Sequence, residues 1–285
     1  MTSRVLQLDL KVRRTLEGYL KDQGFYFSKV DHAFFSAKKD QLTVILYKSG
    51  KLVIQGGDVD LVIDKIMNSL HQKDAQPFIS HIGTDESGKG DFFGPLVVAG
   101  VYVSNTEESQ LRLCGVRDSK QLKDGRIYEI ADKVRKCCVY DEVSIGPQRY
   151  NSLYEEIKNL NKLLSWAHAR VIENLLEKVD CGLVISDQFG EKHFLLDRLM
   201  AKGRTIELVQ KPRAEVDLAV AAASVLARSR YLEERKLLGE KYGFELPGGS
   251  GNNALEAAKS LVSSHGQGVL EKVAKVHFKT SSQIL

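Results

Sequence analysis

Apolar positions along the chain follow two successive grammars. Residues 2 to about 20 mix Leu with Arg and Lys at helix-like spacing, and Gly24-Phe25-Tyr26-Phe27 then reads as the start of a strand. The stretch Leu42 to Gly56 holds two β-branched runs joined at Lys48-Ser49-Gly50-Lys51, which predicts a β-hairpin. Val59 to about His71 returns to helical spacing, and the polar stretch His71 to Pro77 reads as a linker. The expected division is an N-terminal domain over 1–76 and a second domain over 77–285.

From about Ile79 the pattern changes to apolar strand-like runs alternating with longer helical ones, the grammar of an α/β domain. The clearest strands are Pro95 to Val103 and Gly182 to Ser186. The clearest helices run over Tyr150 to Lys178, Ala214 to about Tyr242, and Asn253 to Ser263. Gly and Pro mark Gly243 to Asn252 as a loop. A chain of 285 residues with 43% hydrophobic composition has enough material for one large core and one smaller one.

A net charge of +4 excludes a polycationic coat, so any nucleic-acid surface must come from how charge is distributed. Cys114, Cys137, Cys138 and Cys181 have no C-x-x-C partner and read as buried free thiols. The chain shows neither a signal-peptide pattern nor an apolar run approaching the ~18 residues of a membrane span. The expectation is a cytoplasmic, monomeric protein without membrane contact.

Candidate chemistry concentrates in acids. In His81-Ile-Gly-Thr-Asp85-Glu86-Ser-Gly88-Lys89-Gly90-Asp91, two adjacent carboxylates stand where an apolar run ends, directly before a Gly-x-Gly turn. On an extended segment such neighbours point to opposite faces, so only a backbone twist or a cation brings both to one site. Paired carboxylates repel unless a positive charge lies between them, and Mg or Mn is the usual one. The spacing does not fit a Walker loop. Asp187 ends the apolar run Val184-Ile-Ser, at a strand end where α/β folds collect chemistry, and a turn or N-cap role fits it equally. Glu215 and Asp217 precede an Ala-rich run and suit a first helical turn through the dipole alone.

Four segments together carry a resemblance to the type 2 ribonuclease H family, and within it to the ribonuclease HIII branch. They are Gly83 to Pro95, Gly115-Val-Arg-Asp118-Ser119-Lys120-Gln-Leu, Ile157 to Ala169, and Ala214 to Ser224, and the tail Lys272 to Ser281 is also similar. The resemblance implies a ribonuclease H-like core, with a mixed central sheet flanked by helices. It also implies a small N-terminal α+β domain like the TATA-box binding protein fold that helps hold substrate. The implied activity is hydrolysis of the RNA strand of RNA–DNA hybrids with two divalent cations, Mg2+ or Mn2+. Carried over by motif, Asp85, Glu86, Asp187 and Glu215 are the ligands and catalytic acids, with Asp217 the alternative for the fourth.

The same resemblance assigns the Gly88-Lys89-Gly90 turn to reading 2′-hydroxyls and Asp118-Ser119-Lys120 to phosphate near the cut, and Ser224 joins these substrate-facing candidates. His168 lies on a helix whose Leu164 and Trp166 read as core-facing, so a packed structural histidine is expected there. Arg213, Arg228 and Arg230 are candidates for a substrate groove, and Lys11, Arg13, Arg14, Lys48 and Lys51 for binding by the small domain. A DNA nuclease or a non-catalytic binder on the same scaffold are the rivals: the Gly-Lys-Gly turn argues against the first, and acids massed against phosphate against the second.

Overall fold

Backbone pairing begins earlier than the Leu and Lys spacing suggests: Ser3–Gln7 is a strand, not part of a helix. The computed structural model describes residues 3–8, 10–57, 59, 61–63, 65–66, 78–116 and 124–284. The chain divides into two compact units, Met1–Phe78 and Ile79–Leu285.

In the first unit β1 (Ser3–Gln7), β2 (Tyr26–Ser28), β3 (Ala33–Lys39), β4 (Leu42–Tyr47) and β5 (Lys51–Gln55) form one antiparallel sheet in the order β1-β5-β4-β3-β2. The predicted hairpin is β4–β5. The helix Arg13–Asp22 sets Leu16 and Leu20 onto Phe35, Ala37, Val44, Leu46, Leu52 and Ile54, which alternation places on one sheet face. Residues 59, 61–63 and 65–66 are helical. The expected linker from His71 to Pro77 lies outside the described residues.

The second unit is built on β6 (His81–Ser87), β7 (Leu96–Val103), β8 (Val139–Ile145), β9 (Leu183–Asp187) and β10 (Glu207–Lys211), in the order β10-β9-β6-β7-β8. Pairs β6–β7 and β7–β8 are antiparallel, while β6–β9 and β9–β10 are parallel, so the sheet is mixed. Strand β6 continues through Asp85 and Glu86 instead of ending before them.

Each sheet face is covered by one long helix. On one side lies Leu218–Tyr242, so close that a Cβ on Gly83 would meet the Ala219 carbonyl carbon and the Val220 nitrogen at 2.2 Å. Its opening run of alanines lets two backbones approach to that degree. On the other side lies Leu160–Leu176, and a Cβ on Gly100 would meet Val171 Cγ1 at 2.5 Å and Leu175 Cδ1 at 2.7 Å.

Both long helices start later than their periodicity predicts. The single helix expected over Tyr150 to Lys178 breaks into Pro147–Ile157 and Leu160–Leu176, because Lys158 turns left-handed at φ 47° and the Asn159 side chain caps the second segment. Likewise Ala214–Val216 is a separate 3-10 turn, and Asp217 caps the helix that follows. Trp166, read as core-facing, is 38% exposed on the outer side of its helix, while Leu164 is buried as expected. Among the described residues no helix is long and apolar enough to cross a membrane.

Candidate active site

Parallel pairing of β6 with β9 sets Gly83 against Ile185 and Thr84 against Ser186. One residue further, Asp85 and Asp187 stand at the ends of neighbouring strands and on the same face, since equal steps from a paired position preserve the side. That face is the one Gly83 turns toward the Leu218–Tyr242 helix, and the Ser224 side chain of this helix hydrogen-bonds Asp85. Glu86 points the other way, toward His168 on the Leu160–Leu176 helix, as alternation requires.

Burial first, then the charge of Glu86, push the Asp85 carboxyl up to about 7; Asp187 adds to this, and hydrogen bonds from Ser224 and the Glu86 amide oppose it. Burial also raises Glu86, but the hydrogen bond and charge of His168, joined by Lys89, outweigh it and hold Glu86 below its ordinary value. Lys89 Nζ lies 3.4 Å from Glu86 Oε1. The two adjacent acids are thus inequivalent, and Asp85 is the one that keeps a proton near neutrality.

Asp187 Oδ1 accepts from the Ala214 amide at 3.0 Å, which ties the end of β9 to the turn carrying Glu215. Asp217 is spent elsewhere. Its Oδ1 accepts from the amides of Ala219 and Val220 at 3.0 and 3.1 Å, and it meets His81 Nε2 at 2.9 Å. His81 opens β6, four residues before Asp85, so Asp217 sits ~13 Å along the strand from that acid. Asp217 is therefore the cap of the helix that follows, and Glu215 stands beside Asp187's anchor.

The candidate ligands are carboxylates, and oxygen donors suit hard cations such as Mg2+ or Mn2+. As the side chains stand, no group of three or more His, Cys, Asp or Glu among the described residues is gathered to cage an ion.

The turn after β6 is shaped from below. Gly88 has φ 86°, and a Cβ there would meet the Pro95 carbonyl oxygen at 2.2 Å and Tyr231 Cδ2 at 2.9 Å, so packing alone demands glycine. Gly90 is exposed with nothing within 4 Å of its Cβ position, leaving it the open edge of the turn. Lys275, 0% exposed, donates from Nζ to the carbonyls of Asp91 and Gly94 at 3.0 and 2.8 Å. Asp91 Oδ1 in turn accepts from the Gly249 amide at 2.6 Å. No spacing rule singles out Lys275; a lone lysine inside the apolar Val273-Ala-Lys-Val is the signal that could have flagged it.

Of the remaining candidates, Asp118, Ser119 and Lys120 lie outside the described residues. Arg228 Nη2 is 3.7 Å from Asp124, and Arg230 Nε donates to Glu234 at 2.6 Å, so both carry acidic partners. Arg213 takes a left-handed conformation at φ 55° before the Glu215 turn. In the first unit Arg13 lies 4.6 Å over the Phe34 ring, while Lys11, Arg14, Lys48 and Lys51 are exposed.

Comparison with known proteins gives consistent matches. The family model described as Ribonuclease HII matches residues 82–281, and a domain of unknown function, DUF3378, matches residues 3–76. The chain is 42% identical to the ribonuclease HIII of Protochlamydia amoebophila, across 99% of this chain and 96% of that protein. It is also 42% identical to the ribonuclease HIII of Chlamydia pneumoniae, across 98% of this chain and 97% of that one. Among solved structures, Bst-RNase HIII in complex with Mn2+ superposes with a TM-score of 0.69 and 28% identity, covering 99% of this chain and 98% of its own.

Proposed function

This chain belongs to the ribonuclease HIII family, and from that premise we propose that it is a divalent-metal-dependent endoribonuclease that hydrolyses the RNA strand of RNA–DNA hybrids, leaving 5′-phosphate and 3′-hydroxyl ends. The observation that carries the proposal is the pair of strand ends that bring Asp85 and Asp187 side by side, with Asp85 pushed up to about 7 by burial and its acidic neighbours. Buried acids crowded in this way serve a cation and a phosphate better than they serve stability.

Asp85, Glu86, Asp187 and Glu215 would hold the divalent ions, Mg2+ or Mn2+. When bound, divalent cations would supply a lowered pKa for the attacking water and an offset to charge on the leaving 3′ oxygen. Asp85, raised by burial, would ligate as the carboxylate, the form in which the lowered Glu86 already stands. Lys89 adds a positive charge beside Glu86, where phosphate arrives.

The sugar is read at the Gly88-Lys89-Gly90 turn, where the open edge at Gly90 lets backbone groups reach a 2′-hydroxyl, the group that distinguishes RNA from DNA. Asp118, Ser119 and Lys120 contact phosphate near the cut, and Ser224, which hydrogen-bonds Asp85, is a further substrate-facing residue. The N-terminal unit, over residues 1–76, adds hybrid affinity through its basic residues. The protein acts as a cytoplasmic monomer.

The test is cleavage of a labelled RNA–DNA hybrid with Mg2+ and Mn2+ in turn, against duplex DNA of the same sequence. Hybrid cleavage with either metal and none of duplex DNA is the expected result. Cleavage of both duplexes at equal rates, or of the hybrid with EDTA present, would refute it.

A further inference from the structure

His168 is 0% exposed and both of its ring nitrogens are engaged on β6. Nε2 lies 3.3 Å from Glu86 Oε2 and Nδ1 lies 3.0 Å from Thr84 Oγ1. A carboxylate only accepts, so Nε2 donates to Glu86, while the Thr84 hydroxyl pairs with Nδ1 and holds the ring from its other side. Thr84 and Glu86 are two residues apart on a strand, hence on the same face, and the ring bridges them. The flat side of the imidazole stacks on Phe189, with centroids 4.5 Å apart and planes at 22°. Phe189 follows Asp187 by two residues, so one side chain grips both strand ends that carry acids.

A histidine that only filled the core would not need this arrangement. Each β-strand acid has its own outer partner: Ser224 for Asp85, the Ala214 amide for Asp187, and His168 for Glu86. Of the three, Glu86 has the longest side chain and the most rotamers to lose, so it gains most from being held. We propose that His168 is a positioning residue that orients the Glu86 carboxylate for divalent metal, through Nε2 and with Thr84 and Phe189 fixing the ring. This rests on the reading of Glu86 as a metal ligand.

Glutamine and asparagine separate orientation from packing. The Gln amide nitrogen reaches the place of imidazole Nε2, whereas that of Asn reaches only the place of Nδ1. Full-length His168→Gln, His168→Asn and His168→Phe are compared for Mn2+ affinity, by electron paramagnetic resonance of free Mn2+, and for melting temperature, kcat and KM. Loss of such an outer partner typically costs 10–100-fold in metal affinity or activity. The Asn and Phe variants are expected to weaken Mn2+ binding by about that factor and to lower kcat with KM for hybrid unchanged, while Gln stays within about three-fold of the parent. Thr84→Val, which only frees the ring, is expected to fall between, and it carries the test if the Phe variant melts below the assay temperature. Equal Mn2+ affinity in all folded variants, or Gln as impaired as Phe, overturns the role of His168. Asp85→Asn in the same titration keeps the two readings apart. If it binds Mn2+ like the parent, the carboxylate site itself is wrong; if it loses Mn2+ while the His168 variants do not, only the positioning role fails.

Discussion

Asp85 and Glu86 are chain neighbours with opposite electrostatics, and the difference sets the pH behaviour of the metal-free protein. With Asp85 pushed up to about 7, the folded chain holds a proton there between roughly pH 4 and 7 that the unfolded chain has released. The native state then binds more protons than the unfolded one, so stability falls as pH rises through that window. In EDTA the melting temperature is expected to drop between pH 5 and 8, and Asp85→Asn is expected to flatten the slope and raise the melting temperature at pH 8 by a few degrees. An identical slope in the variant would contradict this. The same substitution is expected to abolish hybrid cleavage while sparing the fold and hybrid binding, with gel-shift and cleavage assays as the measure. At the far end of β6 a second group acts with the same sign. Burial lowers His81, but the hydrogen bond and charge of Asp217 outweigh it and hold it above its ordinary value of 6.5. The stability this pair contributes is complete below that value and is lost as pH rises through the folded pKa. Asp217→Ala removes a helix cap and strands a buried imidazole, so a loss of ~2–4 kcal/mol is expected in urea unfolding.

Elements explain what was legible in the sequence. Strands β7 and β9 stood out because continuous β-branched runs bounded by Gly identify buried strands, and the acids stood out because they end such runs. Strand β1 did not, since five residues pairing only with β5 carry too short a pattern to outweigh the Leu and Lys spacing around them. The break at Lys158 was invisible because a left-handed lysine has no sequence signature. The contact between His168 and Glu86 was missed for another reason: it depends on which sheet face the helix covers, which local periodicity does not report. Trp166 was misplaced by the same limit, as a helix with buried residues nearly all round offers no clear outer side. Gly83 tests the closeness of the layers. Its backbone is not left-handed, so Gly83→Ala adds only a methyl against the backbone of the helix start, and that backbone cannot step aside. A cost at or above the ~1–3 kcal/mol of ordinary overpacking is expected, with loss of activity as Asp85 shifts from Ser224.

Across the whole molecule, each unit has its own core. The first closes on Leu16, Leu20, Leu46, Leu52 and Ile54, and the second on both faces of the mixed sheet. Removing residues 1–76 is therefore expected to leave a folded nuclease whose KM for hybrid rises far more than its kcat falls; steady-state kinetics on a labelled hybrid measures both. Unchanged affinity after the deletion would remove the small unit from substrate binding.

The lysine that fastens the turn after β6 is separated from its carbonyl partners by 184 and 181 positions. A nascent chain leaving the ribosome thus exposes its acids long before the segment that shapes the loop beside them is translated. Closing so long a loop comes late and is entropically costly. An incomplete polypeptide lacking Lys275 thus carries every acid of the candidate centre without the contact that fastens the turn beside them.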